Sequence, residues 1–230
     1  MTSASLVRTA RGGVLALVLA GMPCSGTLAL HPVAAAPLTC TGSPVAATAS
    51  DQATVAAVAT PAAIPTQASI EPETNPPGDI PDNQAFVPYT SVDGGYTISM
   101  PEGWARTEEG SIVRFADKLH TFTVEIACAT GAPTVDSVDT VEAPQLAQRM
   151  EAFDLVEVKA IELPVGPAVL VRYQINSAPN DVTGKQYRLD VERYEVFKDG
   201  KLAVISLAVP AGSDNVDVAN LVSQSFRWTA

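Results

Sequence analysis

The 230-residue chain has two histidines, three cysteines and few aromatics, 6 % of its residues. One histidine, His31, falls in an Ala- and Pro-rich stretch, which leaves His120 as the base available to a folded domain. A Ser-His-Asp hydrolase needs a histidine set beside a serine, and the chain has neither Gly-x-Ser-x-Gly nor a serine in a strand-to-helix elbow. Cys-x-x-Cys and His-x-x-x-His spacings are both missing, which removes the common zinc frames. Gly184-Lys185 lacks the earlier glycine and the following Ser/Thr of a P-loop, and no Rossmann glycines follow a strand, so no nucleotide site or other cofactor is expected. Basic side chains number 14 against 25 acidic, for a net charge of -11. Such a surface repels phosphate backbones and argues against nucleic acid as a partner. No acidic residue precedes Asp51. No apolar run reaches the roughly 20 residues that cross a bilayer, so no transmembrane helix is expected in the mature form.

What the N-terminus does have is the pattern of an export signal. Arg8 and Arg11 form a positive region, and the segment from Val14 to Met22 is a short apolar one. Residues 1–36 are thus expected to be a leader, with two routes open. Ala34-Ala35-Ala36 offers the small residues an ordinary signal peptidase cuts after. Alternatively Cys24 sits where a bacterial lipoprotein carries its lipid, and the leader then ends at residue 23. Gly21-Met22-Pro23-Cys24 departs from the usual lipobox in lacking Leu at minus three and a small residue at minus one. The expected location is extracytoplasmic, as an anchored lipoprotein or a secreted protein. If Cys24 carries lipid, Cys40 and Cys128 are left and could pair in an oxidising compartment. The alternative is a buried Cys128 near a strand end and a free Cys40 thiol.

Residues 37–85 are dominated by Ala, Pro, Thr and Ser, with no sustained period and prolines that interrupt any helix. Such a stretch buries too little apolar surface to offset chain ordering and is expected to be a disordered tether. Residues 86–230 form the expected globular domain. Tyr96, Ile98 and Met100 alternate as one strand face before the turn at Pro101–Gly103. Residues 112–116 and 121–127 read as a hairpin across Asp117–His120. A helix is expected over residues 143–153, then strands over 155–163, 168–175, 187–197 and 202–209, with a tight turn at Lys198-Asp199-Gly200. A last helix over residues 216–226 follows Ser213-Asp214 as its cap. Hairpins dominate, so the fold class is α+β, a mainly antiparallel sheet with helices packed on it.

That order, with GYTISMPEGW (Gly95–Trp104) at its start, ERYEVFKDGKLAVISLAVP (Glu192–Pro210) as a hairpin and SFRW (Ser225–Trp228) at its end, resembles the PsbP-like fold. It looks most like the exported bacterial lipoproteins of that class, the LpqN type. The resemblance covers roughly residues 86–228 and implies an α/β/α sandwich used as an accessory or binding module. No ligand set of the photosynthetic member matches residue by residue, so its part in water oxidation is not carried over.

Three candidate clusters remain. Asp117, His120 and Glu125 lie near one hairpin and could hold a divalent ion, although a solvated turn histidine is the better reading of them. His120 and Cys128 share a strand face but stand too far apart for a thiol dyad. Arg188, Asp190 and Glu192 share one strand face, with Arg193 and Glu195 on the other, as a recognition surface or as cross-strand ion pairs on an exposed sheet. No catalytic or metal residue is assigned. The expected function is an exported, membrane-tethered, non-catalytic domain binding an envelope protein or ligand. The alternatives are an envelope hydrolase built on scattered carboxylates, marked by two convergent acids with shifted titration in a deep pocket, or a small-molecule or cation carrier with a cavity lined by Tyr173, Phe197 and Trp104.

Overall fold

A computed structural model of the chain describes residues 40, 67–72 and 78–229. The leader, Cys24 and most of the tether lie outside the described residues. Among the described residues ten strands run in chain order: β1 Phe86–Ser91, β2 Tyr96–Pro101, β3 Ala105–Glu109, β4 Ile112–Asp117, β5 His120–Cys128, β6 Asp154–Leu163, β7 Gly166–Asn176, β8 Arg188–Lys198, β9 Lys201–Pro210 and β10 Arg227–Trp228. Between β5 and β6 come a short helix α1 (Val135–Ser137), a π-helical turn (Val138–Glu142) and α2 (Ala143–Ala147); α3 (Val216–Ser225) precedes β10. Seven strands pair antiparallel in the order β3-β4-β5-β9-β8-β7-β6, and β1-β2-β10 form a second small sheet. The fold is α+β and mainly antiparallel.

Alternation along the central strands sends side chains into two cores. On one face Phe122, Val124, Ile205 and Leu207 meet Ala219, Val222 and Phe226 from α3 and Tyr96, Ile98 and Met100 from β2. On the other, Val169, Val171, Tyr173 and Val191 meet Val138 and Leu146 from the helical segment. A strand covered on both sides is apolar at successive positions, as Ala203, Val204 and Ile205 are.

The structure departs from the sequence expectations in four places. The strands β1 and β3 are additional; β3 is exposed throughout and carries Arg106, Glu108 and Glu109, charges suited to a sheet edge but without a pattern of burial. The helical segment starts earlier, where Thr134 and Ser137 form a capping box, and its last helix ends at Ala147, short of the expected residue 153; Ala152, with a φ of 51°, lies in the turn that leads to β6. Asn215, not Ser213 or Asp214, occupies the start of α3. The expected tether also reaches the domain: Ile80 is 5 % exposed, and residues 67–72 bond to Asn176.

Asn176, the last residue of β7, is buried. Its Oδ1 accepts from the Ile70 N–H (3.2 Å) and from Arg188 (3.3 Å), while its Nδ2 donates to Gln67 Oε1 and the Ala68 carbonyl, both at 2.9 Å. Asn176→Ala leaves these groups without partners, at a cost of about 1–3 kcal/mol. Amide hydrogen exchange should show residues 67–72 losing protection first while the β8–β9 hairpin keeps its own.

Candidate functional site

The apolar cover of the α3 face gives way to polar side chains toward the end of β7 and the start of β8. From β7 and β8, Arg172, Asp190 and Glu192 continue the same face as polar side chains, since Arg172 pairs with Glu192 in register and Glu192 with Leu207. Between this polar strip and the N-terminal half of α3 lies a cavity of about 250 Å³. Leu207, Val209 and Ala219 form its apolar floor, Val216 and Val156 stand at its rim, and Ser213 and Asn215 close the end beneath α3. Val156 reaches the rim because it is the residue left over where the β6–β7 register shifts between Leu155 and Glu157.

The polar groups around the cavity hold one another. Arg172 donates from Nε to Glu192 Oε1 at 2.9 Å and from one terminal nitrogen to Glu157 Oε2 at 3.3 Å, and Lys159 pairs with Glu157 at 3.0 Å. The Tyr194 hydroxyl donates to Glu192 Oε2 at 2.5 Å. Burial, reinforced by that bond, raises the Tyr194 pKa well above the ordinary phenol range, so it remains a donor. Asp190 accepts from Gln174 at 2.7 Å and from the Gly212 N–H at 3.1 Å. Asn215 spends its carbonyl oxygen on the Ile80 N–H, at 2.8 Å, and so fastens the segment before β1 to the start of α3. Pairs this exposed contribute about 0–1 kcal/mol each to stability, so their main effect is to fix the shape of the mouth.

A second cluster lies on the opposite face. Arg193 donates from Nε to Glu195 Oε1 at 2.7 Å and pairs with Glu142 at the end of the π-helical turn. Glu195 is 0 % exposed, and its Oε2 has no hydrogen-bond partner. Burial first, and then the neighbouring Glu142 carboxylate, push its carboxyl up to about 7, against the pull of Arg193. Arg193 itself is held more firmly charged by the two carboxylates, which outweigh its burial. Glu195 is fully enclosed, while the Glu142 side chain is 23 % exposed.

The other candidate residues are placed as follows. Cys40 and Cys128 are joined as a disulfide with Cα atoms 5.5 Å apart. His120 and Cys128 stand at opposite ends of β5. Asp117, His120 and Glu125 do not converge, because His120 and Glu125 are five residues apart on β5 and face opposite sides of the sheet. Among the described residues no group of three His, Cys, Asp or Glu side chains is placed to hold a metal ion. Nor is His120 a solvated turn residue: it is 4 % exposed, with Nδ1 and Nε2 against the carbonyls of Asp117 (3.3 Å) and Gly78 (2.5 Å) and its ring beside Trp104. Glu195 is buried and Arg193 partly buried beside the helical segment rather than on an exposed sheet, and Arg188 is also buried. Tyr173, Phe197 and Trp104 line no common cavity: Tyr173 packs in the second core, Trp104 on the first, and Phe197 borders a separate groove with Ala132 and Val135. The cavity residues Arg172, Leu207 and Ala219 had no local signal; they meet only because α3 folds back over β8 and β9.

No family model and no curated protein matches the chain. Among solved structures it is similar to the cyanobacterial PsbP of Synechocystis, with 16 % identity over 66 % of this chain and 98 % of that one and a TM-score of 0.47. It is also similar to LpqN of Mycobacterium tuberculosis, a protein involved in cell envelope biogenesis, with 16 % identity over 65 % and 93 % of the two chains and a TM-score of 0.40. The yeast Ran-binding protein Mog1p, from Saccharomyces cerevisiae, matches with 8 % identity over 64 % and 96 % and a TM-score of 0.44. The likeness to PsbP and LpqN is the one that the sequence motifs suggest, and it is a likeness of fold.

Proposed function

We propose that the chain is an exported, membrane-tethered, non-catalytic binding domain of the cell envelope, and that it takes a small ligand in the cavity between α3 and β8–β9. The observation that carries this reading is the division of labour in that cavity: its polar side chains are engaged with one another, above a largely buried apolar floor of Leu207, Val209 and Ala219 and beside the exposed Val156 and Val216 at the rim. A floor of this kind favours an apolar body, because removing apolar area from water yields about 25 cal/mol per Å². Three carboxylates, Glu157, Asp190 and Glu192, face two cations, Arg172 and Lys159, so the mouth favours a ligand with a cationic or donor-rich head. The N-terminal leader pattern and the Ala/Pro-rich segment support export and tethering. Among the described residues no helix is long and apolar enough to cross a membrane.

The hydrolase alternative has one of its two requirements. Glu142 and Glu195 converge and Glu195 titrates high, but Glu195 is enclosed and no described cavity reaches it.

Val216 stands at the rim and is 52 % exposed, so Val216→Trp fills the mouth without disturbing the core. Native mass spectrometry of the wild-type chain from its own host should show a retained small-molecule adduct, and the Val216→Trp chain should lack it. An adduct held equally by both chains places the ligand elsewhere.

A further inference from the structure

Glu195 is a carboxyl that the fold encloses without satisfying it. In register it lies between Val169 of β7 and Val204 of β9, both apolar, and Val169 belongs to the core that Val138 and Leu146 of the helical segment close. Its Oε1 accepts from Arg193, and its Oε2 has no partner. The segment itself holds to the sheet by few groups. Val138, Ala143 and Leu146 are its buried apolar side chains, and Arg193 reaches it through Glu142. Among the described residues no backbone hydrogen bond joins residues 134–147 to a strand. One guanidinium therefore serves both the enclosed carboxyl and the cover that encloses it.

We propose that residues 134–147 are a proton-governed cover: with Glu195 neutral the segment is closed on the sheet, and with Glu195 ionised it lifts and bares the apolar face of Val169, Val171, Tyr173 and Val191. The charge balance sets the sense of the change. With a proton on Glu195, Arg193 and Glu142 neutralise each other. Without it, two carboxylates share one cation, and a carboxylate cut off from water costs far more than a neutral carboxyl. The groups that face Glu195 are Arg193 from its own strand, Glu142 from the π-helical turn and Tyr173 from β7. Burial raises the Tyr173 hydroxyl above the ordinary phenol range, so it stays neutral through the change. Lifting the cover brings water to Glu195 and returns it from about 7 to its ordinary 4.5. Closure thus has its full strength below pH 4.5, weakens by at most about tenfold per pH unit between the two values, and is level above 7.

Hydrogen exchange of the whole wild-type chain, read by mass spectrometry and corrected for the intrinsic pH dependence of amide exchange, tests the cover. Peptides spanning residues 138–146 should lose protection by at least about tenfold from pH 5 to pH 8, while β9 peptides keep theirs. Glu195→Gln, which keeps the shape and has no proton to lose, should hold the cover closed at both pH values. Glu142→Gln removes the partly exposed neighbour and leaves Arg193 to Glu195, so its loss of protection should be smaller than that of the wild type. This variant decides the matter even where Glu195→Gln does not fold. Equal wild-type protection at pH 5 and pH 8 overturns the proposal, as does a loss that neither variant reduces. A parallel loss by the β9 amides overturns it too, because the opening would then be that of the whole domain.

Discussion

Arg193→Ala should cost about 3–5 kcal/mol of folding stability, because it strips the cation from two carboxylates that the fold holds together. With Arg193 present and one proton on Glu195, the cluster is neutral. Without Arg193, Glu142 and Glu195 face each other beneath the helical segment, and the loss should grow as pH rises. Urea denaturation at pH 5 and pH 8 measures it, and a loss below 1 kcal/mol at both would mean that the cluster opens freely to water. Glu195→Gln is the companion variant. The folded pKa of Glu195, about 7, is above the ordinary 4.5, so its contribution to stability is fully present below 4.5 and is lost as pH rises through 7. The glutamine keeps the shape and has no proton to lose. Its stability should therefore lack that fall, making Glu195→Gln more stable than wild type at pH 8 and nearly equal at pH 4.5.

Gly78→Ala should detach the segment that crosses His120. Gly78 has a φ of +119°, and a Cβ there would stand 2.5 Å from Cε1 of His120 and 2.8 Å from its Nε2. Backbone strain of this kind costs about 1–3 kcal/mol on its own, and the ring cannot move aside while it bonds the Gly78 carbonyl and packs on Trp104. The expected readout is local: the Ile80 N–H, bonded to Asn215, exchanges faster, while the β5 amides keep their protection. A double-mutant cycle with His120→Ala isolates the clash. Removing the ring first should make Gly78→Ala cheaper, so the double variant should lose less stability than the sum of the two single ones. Strict additivity would show that the ring and the strap are independent.

How much of this was legible in the sequence follows from the range of the forces involved. The β4–β5 and β8–β9 hairpins, the strand over residues 168–175 and α3 were legible because period-two and period-3.6 patterns are local. The edge strand β3 carries no such pattern, since none of its residues is buried. Glu195 illustrates a different limit. Charged residues at alternate positions read as a solvated sheet face, and only the helical segment arriving from residues 135–147 makes that face interior. Asn176 and Asn215 read as ordinary polar residues because their partners, Gln67, Ile70 and Ile80, lie more than a hundred residues away. The cavity has the same origin: its floor comes from β9 and α3 and its mouth from β7 and β8, and no single stretch of chain encodes it.

One measurement tests the tethered binding domain most directly: the native intact mass of the protein purified from the envelope of its own host. The expected mass begins at Cys24, carries lipid, is two hydrogens short for the Cys40–Cys128 bond, and includes a small-molecule adduct. A mass that begins near Pro37, with neither lipid nor adduct, would contradict both the anchor and the ligand.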